Sequence, residues 1–516
     1  MDTQKKKVAI VGAGISGLTA GIYLLDNNFD VEIYEKNPLP GGECTGWYRD
    51  GVYIDGCAHW IVGTNPQSDF YPLWNHIGAI DENIKIFEAD YFLKYHFKDE
   101  SITIYSNLDK LYEELIRISP EDQKVIKEIC KRIQDYQYVR VPVKKPIDMM
   151  NIFELIEQGF KMLPLLYSYV YSRKEPLASL GAKFKNEKLK IIFEDIFAFP
   201  RYNSHSFYYT MGMLSKNDAG MVEGGSLNFA RRIADKFKEK GGKLFLNAPV
   251  EKVIIENDIA KGIKLEKGDI INCDYVVSST DINHTFDKLI GHKYITKSYQ
   301  KMFDQKDDYP LSNGFLLSYK VDGDVLNYDK TEFYKIEPFK IVNEEVSIIR
   351  VRSHAFDKTL NKKDYTITVM INANYEIYDY LKKLNKEDYL SFKKELGDHV
   401  RKELINLNKQ YQEDNIKLID VATPLTYERY MNAYKGSYMS FITTKNSKGL
   451  FQPNYLKNLK NFVLAGQWLM PPGGLPPAVL TGKYVAIRIA KLNHQKFINK
   501  ENKKAKFYTC KRKHNS

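Results

Sequence analysis

Three glycines and an acid near the start of the chain have the spacing that holds a pyrophosphate. Gly12, Gly14 and Gly17 follow the apolar run Val8-Ala-Ile-Val11 and open a helical pattern, and Val31-Glu-Ile-Tyr34 then ends at Glu35 and Lys36. That order reads strand, turn, helix, strand, acid. Gly12 permits the tight turn, Gly14 lets the backbone approach a pyrophosphate, and Gly17 lets helix and strand pack closely. The helix N-terminus, at Ile15 and Ser16, presents unpaired N–H groups and a positive dipole end to the phosphates. Glu35, about 20 residues on, is placed to accept hydrogen bonds from ribose hydroxyls, and an acid there disfavours a 2′-phosphate.

Outside this unit, His59 follows Asp55-Gly56, and a neutral imidazole there could shuttle a proton near physiological pH. The alternative is a histidine satisfied in the core. Tyr427, Arg429 and Tyr430 could shape a substrate side, or the Arg stem could simply cover an apolar edge. Neither a G-x-S-x-G elbow nor an H-E-x-x-H helix occurs, so hydrolase and metalloprotease chemistry lack support and no metal site is expected. Cys44, Cys57, Cys130, Cys273 and Cys510 are scattered, without C-x-x-C spacing or a metal-ligand pattern. With no signal-peptide pattern before Val8, a reducing cytoplasm is the expected location.

The elements that must position these residues run through the whole chain. At 516 residues it is too long for one ordinary core, and 43% apolar residues give ample material for burial. Leu39-Pro40-Gly41-Gly42 reads as a turn and Gly51 to Gly56 as a short strand. Leu111, Leu115, Ile116 and Ile118 carry a helical period. A second nucleotide-like segment is expected at Glu223-Gly-Gly-Ser226 with the helix Leu227 to Lys240, followed by short strands to Ser278. Phe315 to Val321 and Tyr365 to Ile371 read as strands, Lys386 to Asn406 as a charged helix. Asn461 to Gln467 is a strand and turn leading through a Pro/Gly loop, with Gly474, to the helix Ala478 to Ala490.

The expected architecture is α/β: a Rossmann-like FAD-binding domain with a parallel sheet, plus an interleaved α+β substrate domain. Its segments are a nucleotide part at 1–107, a helical part at 108–214 facing substrate or membrane, a second nucleotide part at 215–298, a sheet-bearing substrate part at 299–437, a third nucleotide part at 438–490 and a basic tail at 491–516. Of the net charge of +11, the tail carries +8, from nine Lys/Arg against Glu501. Such a tail suits an anionic membrane surface, though a solvated terminus is the plainer reading. Nothing else points to nucleic acid. No apolar run is long enough to span a bilayer; Met149 to Val170 comes nearest and is broken by Glu154, Glu157, Lys161 and Pro164. Its large side chains suit either the mouth of an apolar tunnel dipping into a membrane or ordinary helix packing.

The N-terminal unit, Pro40-Gly41-Gly42, Gly224-Gly225, Ala422 to Tyr430 and Leu464-Ala-Gly466-Gln467 with its Pro/Gly loop together resemble the phytoene desaturase family, which includes retinol saturases and carotenoid isomerases. Gly41 to Cys44 and Asp55 to His59 are most similar to the saturase and isomerase branch; bacterial phytoene desaturases usually carry Arg where this chain has Glu43. The resemblance implies FAD, with Gly12, Gly14, Gly17 and Glu35 on the ADP half, Val250 at the adenine through its backbone, Gly41 and Gly42 beside the flavin, and Gly466 and Gln467 at the pyrophosphate and ribityl chain. Glu43, unable to bind a phosphate, is expected to face solvent. The resemblance further implies hydride exchange with a hydrophobic polyene or isoprenoid, and a diffusing electron acceptor such as oxygen, a quinone or a nicotinamide. Rival readings are a non-redox cis–trans isomerase using reduced FAD, an amine oxidase-like enzyme, and a non-catalytic flavin-containing lipid-binding protein.

Overall fold

The computed structural model describes residues 5–57, 59–197, 199–323, 331–360, 363–408, 411–448 and 451–501. Cys510 and the tail from residue 502 lie outside the described residues.

Lys7–Val11 is apolar on both sides and almost wholly buried, as a central parallel strand must be when both faces of its sheet are covered. It pairs in parallel with Asp30–Tyr34 on one side and Tyr275–Ser278 on the other. Lys243–Phe245 and Leu459–Leu464 extend the sheet in parallel at its two sides. The antiparallel pair Ile259–Leu265 and Val250–Glu256 completes its far edge. Helices Ile15–Asp26, Gly225–Glu239 and Leu475–Leu492 pack over this sheet. The sheet is therefore assembled from the beginning, middle and end of the chain, a Rossmann-like α/β arrangement.

A second sheet of seven strands runs in the order Ile416–Ala422, Asn313–Val321, Tyr365–Ala373, Glu344–Ser353, Thr331–Ile341, Tyr91–His96, Ser101–Tyr105. All its pairings are antiparallel except Thr331–Ile341 with Tyr91–His96. The expected first boundary at residue 107 is corrected here, because residues 91–105 hydrogen-bond into the second sheet. Their alternation of buried and half-buried residues suits a sheet edge as well as a nucleotide domain, so only pairing distinguishes them.

Residues 108–215 are mainly helical, as the periodicity predicts, from Leu108–Ile118 to His205–Ser215. The segment expected from Glu223 supplies the helix Gly225–Glu239 and the strands Lys243–Phe245 and Tyr275–Ser278 to the first sheet, but its two glycines serve the chain itself. Gly224 and Gly225 have φ of +86° and +68°, and a Cβ on Gly225 would lie 2.7 Å from an oxygen of Asp55. That buried carboxylate accepts from Ser226 N–H and Oγ, each at 2.7 Å, and from Cys57 N–H at 3.0 Å. These glycines thus make room for a carboxylate of the chain itself. The start of the basic tail is fastened: Ile498 N–H donates to Asn27 Oδ1 at 2.7 Å, and Glu501 pairs with buried Lys483 at 2.5 Å. No helix among the described residues is long and apolar enough to cross a membrane.

Candidate functional site

One cavity of about 1870 Å³ lies between the two sheets. Ordinary ligand pockets span about 300–1,000 Å³, so it has room for a dinucleotide and a long second molecule together. Gly12, Gly14, Ile15, Ser16, Glu35, Lys36, Gly41, Gly42, His59, Val250, Gly466, Gln467 and Gly474 all line it; Gly17 does not. Gly17 sits beneath the turn, where a Cβ would come within 2.2 Å of Gly12 O.

The turn differs sharply from one glycine to the next. At Gly12, φ is +98° and a Cβ would lie 2.9 Å from Ser279 O. At Gly14 the nearest atom to a built Cβ is Gly41 O, at 4.0 Å, so no protein atom demands a glycine there. The space it leaves opens on the N-terminus of Ile15–Asp26, whose N-cap is Gly14 and which no side chain caps. A second helix, Leu475–Leu492, also begins at an uncapped glycine, Gly474. The bare N-terminus of Ile15–Asp26 forms an anion cradle that a side chain at Gly14 would fill; the second helix offers at most Leu475 N–H, since Pro476 and Pro477 carry none and Ala478 N–H donates to Gly474 O at 3.1 Å. A pyrophosphate fits this geometry.

Glu35 is buried and oriented by the backbone: Oε2 accepts from Ala13 N–H at 2.9 Å, and Oε1 from Asn37 N–H at 2.9 Å and Nδ2 at 2.8 Å. Oε2, which accepts one bond where Oε1 accepts two, retains a lone pair for a hydroxyl. Lys36 Nζ donates to Arg429 O at 2.9 Å and Asn432 Oδ1 at 2.5 Å, and Asn37 Nδ2 donates to Tyr430 O at 2.8 Å. The backbone of Arg429 and Tyr430 therefore braces the Glu35 end of the cavity, and both residues line it. Only folding could bring residues 393 positions apart together.

Glu43 does not face bulk solvent. It is half-buried on the cavity wall, where its carboxylate accepts from Gln467 Nε2. Gln467 Oε1 in turn accepts from Gly474 N–H at 2.9 Å, so Glu43 helps hold the Pro/Gly loop. Burial, reinforced by the Asp281 carboxylate, pushes Glu43 up to about 8. Burial likewise moves Asp281 up to about 6. His59 stands uncovered toward the cavity interior, outside the packed core. Enclosure, then Arg352, His354 and Arg350, push it well below its ordinary value, so it is a neutral imidazole at physiological pH.

The facing wall is the second sheet. Ala422, Leu316, Met370, Arg350 and Phe333 are successive cross-strand neighbours, and all five line the cavity as one row. Arg352 and Thr368 form part of the next row. Trp60, Phe92 and Phe197 stack edge to face or tilted beside them, with centroids 5.2 and 5.9 Å apart. Near the entrance, the helix Ile152–Met162 buries none of its residues, yet Gln158 and Met162 line the cavity. Phe153, Phe160 and Tyr167 are 78%, 67% and 74% exposed. This segment thus faces outward, where helix packing would have hidden it.

Sequence reasoning missed Arg350, Arg352, His354 and the pairing of Cys44 with Cys57. The alternation of Arg350 and Arg352 was a usable signal for a shared face, but not for which face. Among the described residues no cluster of potential ligands could hold a metal ion.

Comparison with known proteins agrees with this geometry. The pattern of the family described as flavin containing amine oxidoreductase matches residues 15–490. The chain is 22% identical to a zeta-carotene-forming phytoene desaturase of Myxococcus xanthus, over 95% of each protein. It is 23% identical to a 4,4'-diapophytoene desaturase of Methylomonas sp, over 95% of this chain and 96% of the relative. Its fold is similar to that of cyclohexylamine oxidase from Brevibacterium oxydans, with a TM-score of 0.59 at 14% identity, covering 95% of this chain and 100% of the other.

Proposed function

The chain belongs to the flavin-containing amine oxidoreductase family, and from that premise we propose that it is an FAD-dependent oxidoreductase that desaturates or saturates carbon–carbon bonds of a hydrophobic isoprenoid or carotenoid-like substrate. The observation that carries this reading is a single cavity with an anion cradle on one wall and, on the other, a row across a sheet that is apolar except for Arg350. The desaturase names of the two carotenoid relatives support the same substrate class.

FAD, when bound, supplies two-electron hydride chemistry. The protein's share is placement and exclusion of water. Gly12, Gly14, Ile15, Ser16 and Gly474 would hold the pyrophosphate, with Gly17 setting the turn from below. Glu35 and Lys36 would take the ribose end, Val250 the adenine, and Gly41, Gly42, Gly466 and Gln467 the ribityl and flavin portion. The row from Ala422 to Phe333 would align an extended apolar chain against them. Loss of hydride from one carbon makes the neighbouring C–H acidic, so a weak base suffices to take its proton, and neutral His59 is the group open to the cavity for that task. Arg350 and Arg352 in the same wall disfavour a cationic amine, which favours a polyene over an amine substrate.

The outward apolar segment 152–171, flanked by Lys144, Lys145, Arg173 and Lys174, would rest on a membrane surface and pass lipid to the cavity. Co-flotation with vesicles, lost in Phe153→Asp/Phe160→Asp, tests this arm; a double variant that still floats overturns it.

The enzyme reading is tested by anaerobic visible spectroscopy of the purified protein before and after adding phytoene or 4,4'-diapophytoene. Bleaching of the flavin bands, with product lighter by two hydrogens, is the expected desaturation. Product heavier by two hydrogens from the prereduced protein marks saturation, and product of unchanged mass marks an isomerase. Purified protein that carries no flavin overturns the reading.

A further inference from the structure

Cys44 and Cys57 stand thirteen positions apart in the sequence, and a hairpin brings them together. Gly46–Arg49 pairs antiparallel with Val52–Asp55, Gly46 lying opposite Asp55. The ladder continues through Gly56 N–H, which donates to Thr45 O at 3.0 Å, so Cys44 and Cys57 are the next opposed residues. Directly opposed Cβ atoms lie about 4.5–5.5 Å apart, close to the span a disulfide closes. Both thiols are free, and both line the cavity two and fifteen residues after Gly42.

The pair is asymmetric. A hydrogen-bonding interaction with Cys57, together with burial, pushes the Cys44 thiol well above its ordinary value. Its proton is therefore held, and Cys44 Sγ also lies 3.5 Å from Ser226 O. Cys57 is half-buried and lies close enough to the Arg352 guanidinium for the two charges to interact. Cys57 is the more accessible sulfur of the two, and so the one an incoming disulfide can reach.

We propose that Cys44 and Cys57 form a redox-active dithiol–disulfide pair in the cavity wall, which exchanges two electrons with the bound flavin and with a diffusing disulfide. This rests on the flavoenzyme reading and deepens it by naming the class of electron acceptor. In the outward half, the Cys57 thiolate attacks a disulfide R–S–S–R, its S–S bond breaks, and one thiolate leaves. Cys44 then gives up its proton and displaces the second thiolate, forming the Cys44–Cys57 bond; the pair is oxidised by two electrons and R–S–S–R is reduced to two thiols. In the inward half, one hydride equivalent from reduced flavin and one proton break that bond, leaving two thiols and oxidised flavin.

Two measurements on the full chain test the pair. The flavin-bearing protein is equilibrated anaerobically with oxidised or reduced glutathione, alkylated with N-ethylmaleimide and digested with trypsin. A disulfide joining the peptide 37–49 to the peptide 50–85 in the oxidised buffer only, with Cys130 and Cys273 alkylated, is expected. Separate alkylation of Cys44 and Cys57 in both buffers overturns the proposal. Anaerobic dithionite titration of the preoxidised protein is expected to consume twice the reductant per flavin that Cys57→Ser consumes. Equal consumption overturns the exchange with flavin even where the linked peptide forms. Protein that carries flavin but shows neither signature leaves the enzyme reading intact, whereas absence of flavin defeats that reading and leaves the linked-peptide result to stand on its own.

Discussion

On the nucleotide side of the cavity the chain offers backbone. Gly12, Gly14 and Gly42 bring their backbone to it, and two helices begin there without side-chain caps. On the opposite side the seven-stranded sheet offers side chains, from Ala422 through Leu316, Met370 and Arg350 to Phe333, drawn from five separate strands. The first wall depends on what must be absent, a Cβ at a few positions, and the second on what is present and how it stacks. Substitutions should therefore fail abruptly on the first wall and gradually on the second.

The largest expected effect is at Gly17, where a Cβ would meet Gly12 O at 2.2 Å and Ser279 Oγ at 3.0 Å. Gly17→Val should destabilise the fold by about 3 kcal/mol or more, read as a fall in the urea midpoint together with loss of flavin. Gly14→Val should instead keep a near-native midpoint and lose flavin alone, because its nearest protein atom is 4.0 Å away. Equal destabilisation by the two would break the distinction between a packing glycine and a ligand glycine.

On the side-chain wall, Phe197→Ala removes an aromatic surface lining the cavity. Burial of such a side chain is worth about 1.5–3 kcal/mol, so kcat/KM for a carotenoid precursor should fall roughly 10- to 100-fold with flavin content unchanged. Loss of flavin in this variant would show that the two walls are not separable.

Glu43 makes the nucleotide wall pH-dependent. Its folded value of about 8 lies above its ordinary 4.5, so the fold favours the protonated carboxyl. That stability is fully present below about pH 4.5 and is lost as the pH rises toward 8. Glu43→Gln keeps an acceptor for Gln467 and removes the titration, so its melting temperature should fall less than that of the wild type between pH 5 and about 8. Parallel curves would show that Glu43 ionises freely.

The smallest effect on stability is expected at His59, which stands uncovered in the cavity. Held neutral by enclosure and nearby arginines, it should contribute no limb to the kcat profile near its ordinary 6.5. His59→Gln should lower kcat about 10²-fold, the low end for a positioned base, without moving that profile; disappearance of a limb near pH 6.5 would show an ordinary imidazole.

Local rules made the first wall legible. The Gly12, Gly14, Gly17 turn and Glu35 lie within one strand–helix–strand unit, and their roles follow from backbone geometry that short-range sequence encodes. The helix Lys386–Leu407 and strands Asn313–Val321 and Tyr365–Ala373 were legible for the same reason, since period and composition act locally. The placement of residues 91–105 in the second sheet was not, because a strand's pattern says which face is buried but not its partner. Glu43 illustrates the limit within a few residues of the fingerprint: its type was plain, but its contact lies 424 positions away at Gln467.

The sequence by itself determined the glycine turn, the acid that follows it and the kinds of elements along the chain, because these depend on φ/ψ access and on hydrophobic period. Only the tertiary structure decided that Arg350 and Arg352 face the cavity, that Arg429 braces the Glu35 end, and that Cys44 meets Cys57. Those relations arise when strands and segments distant in the chain are brought into register, and register is fixed by the closing of a common core, which no local pattern contains.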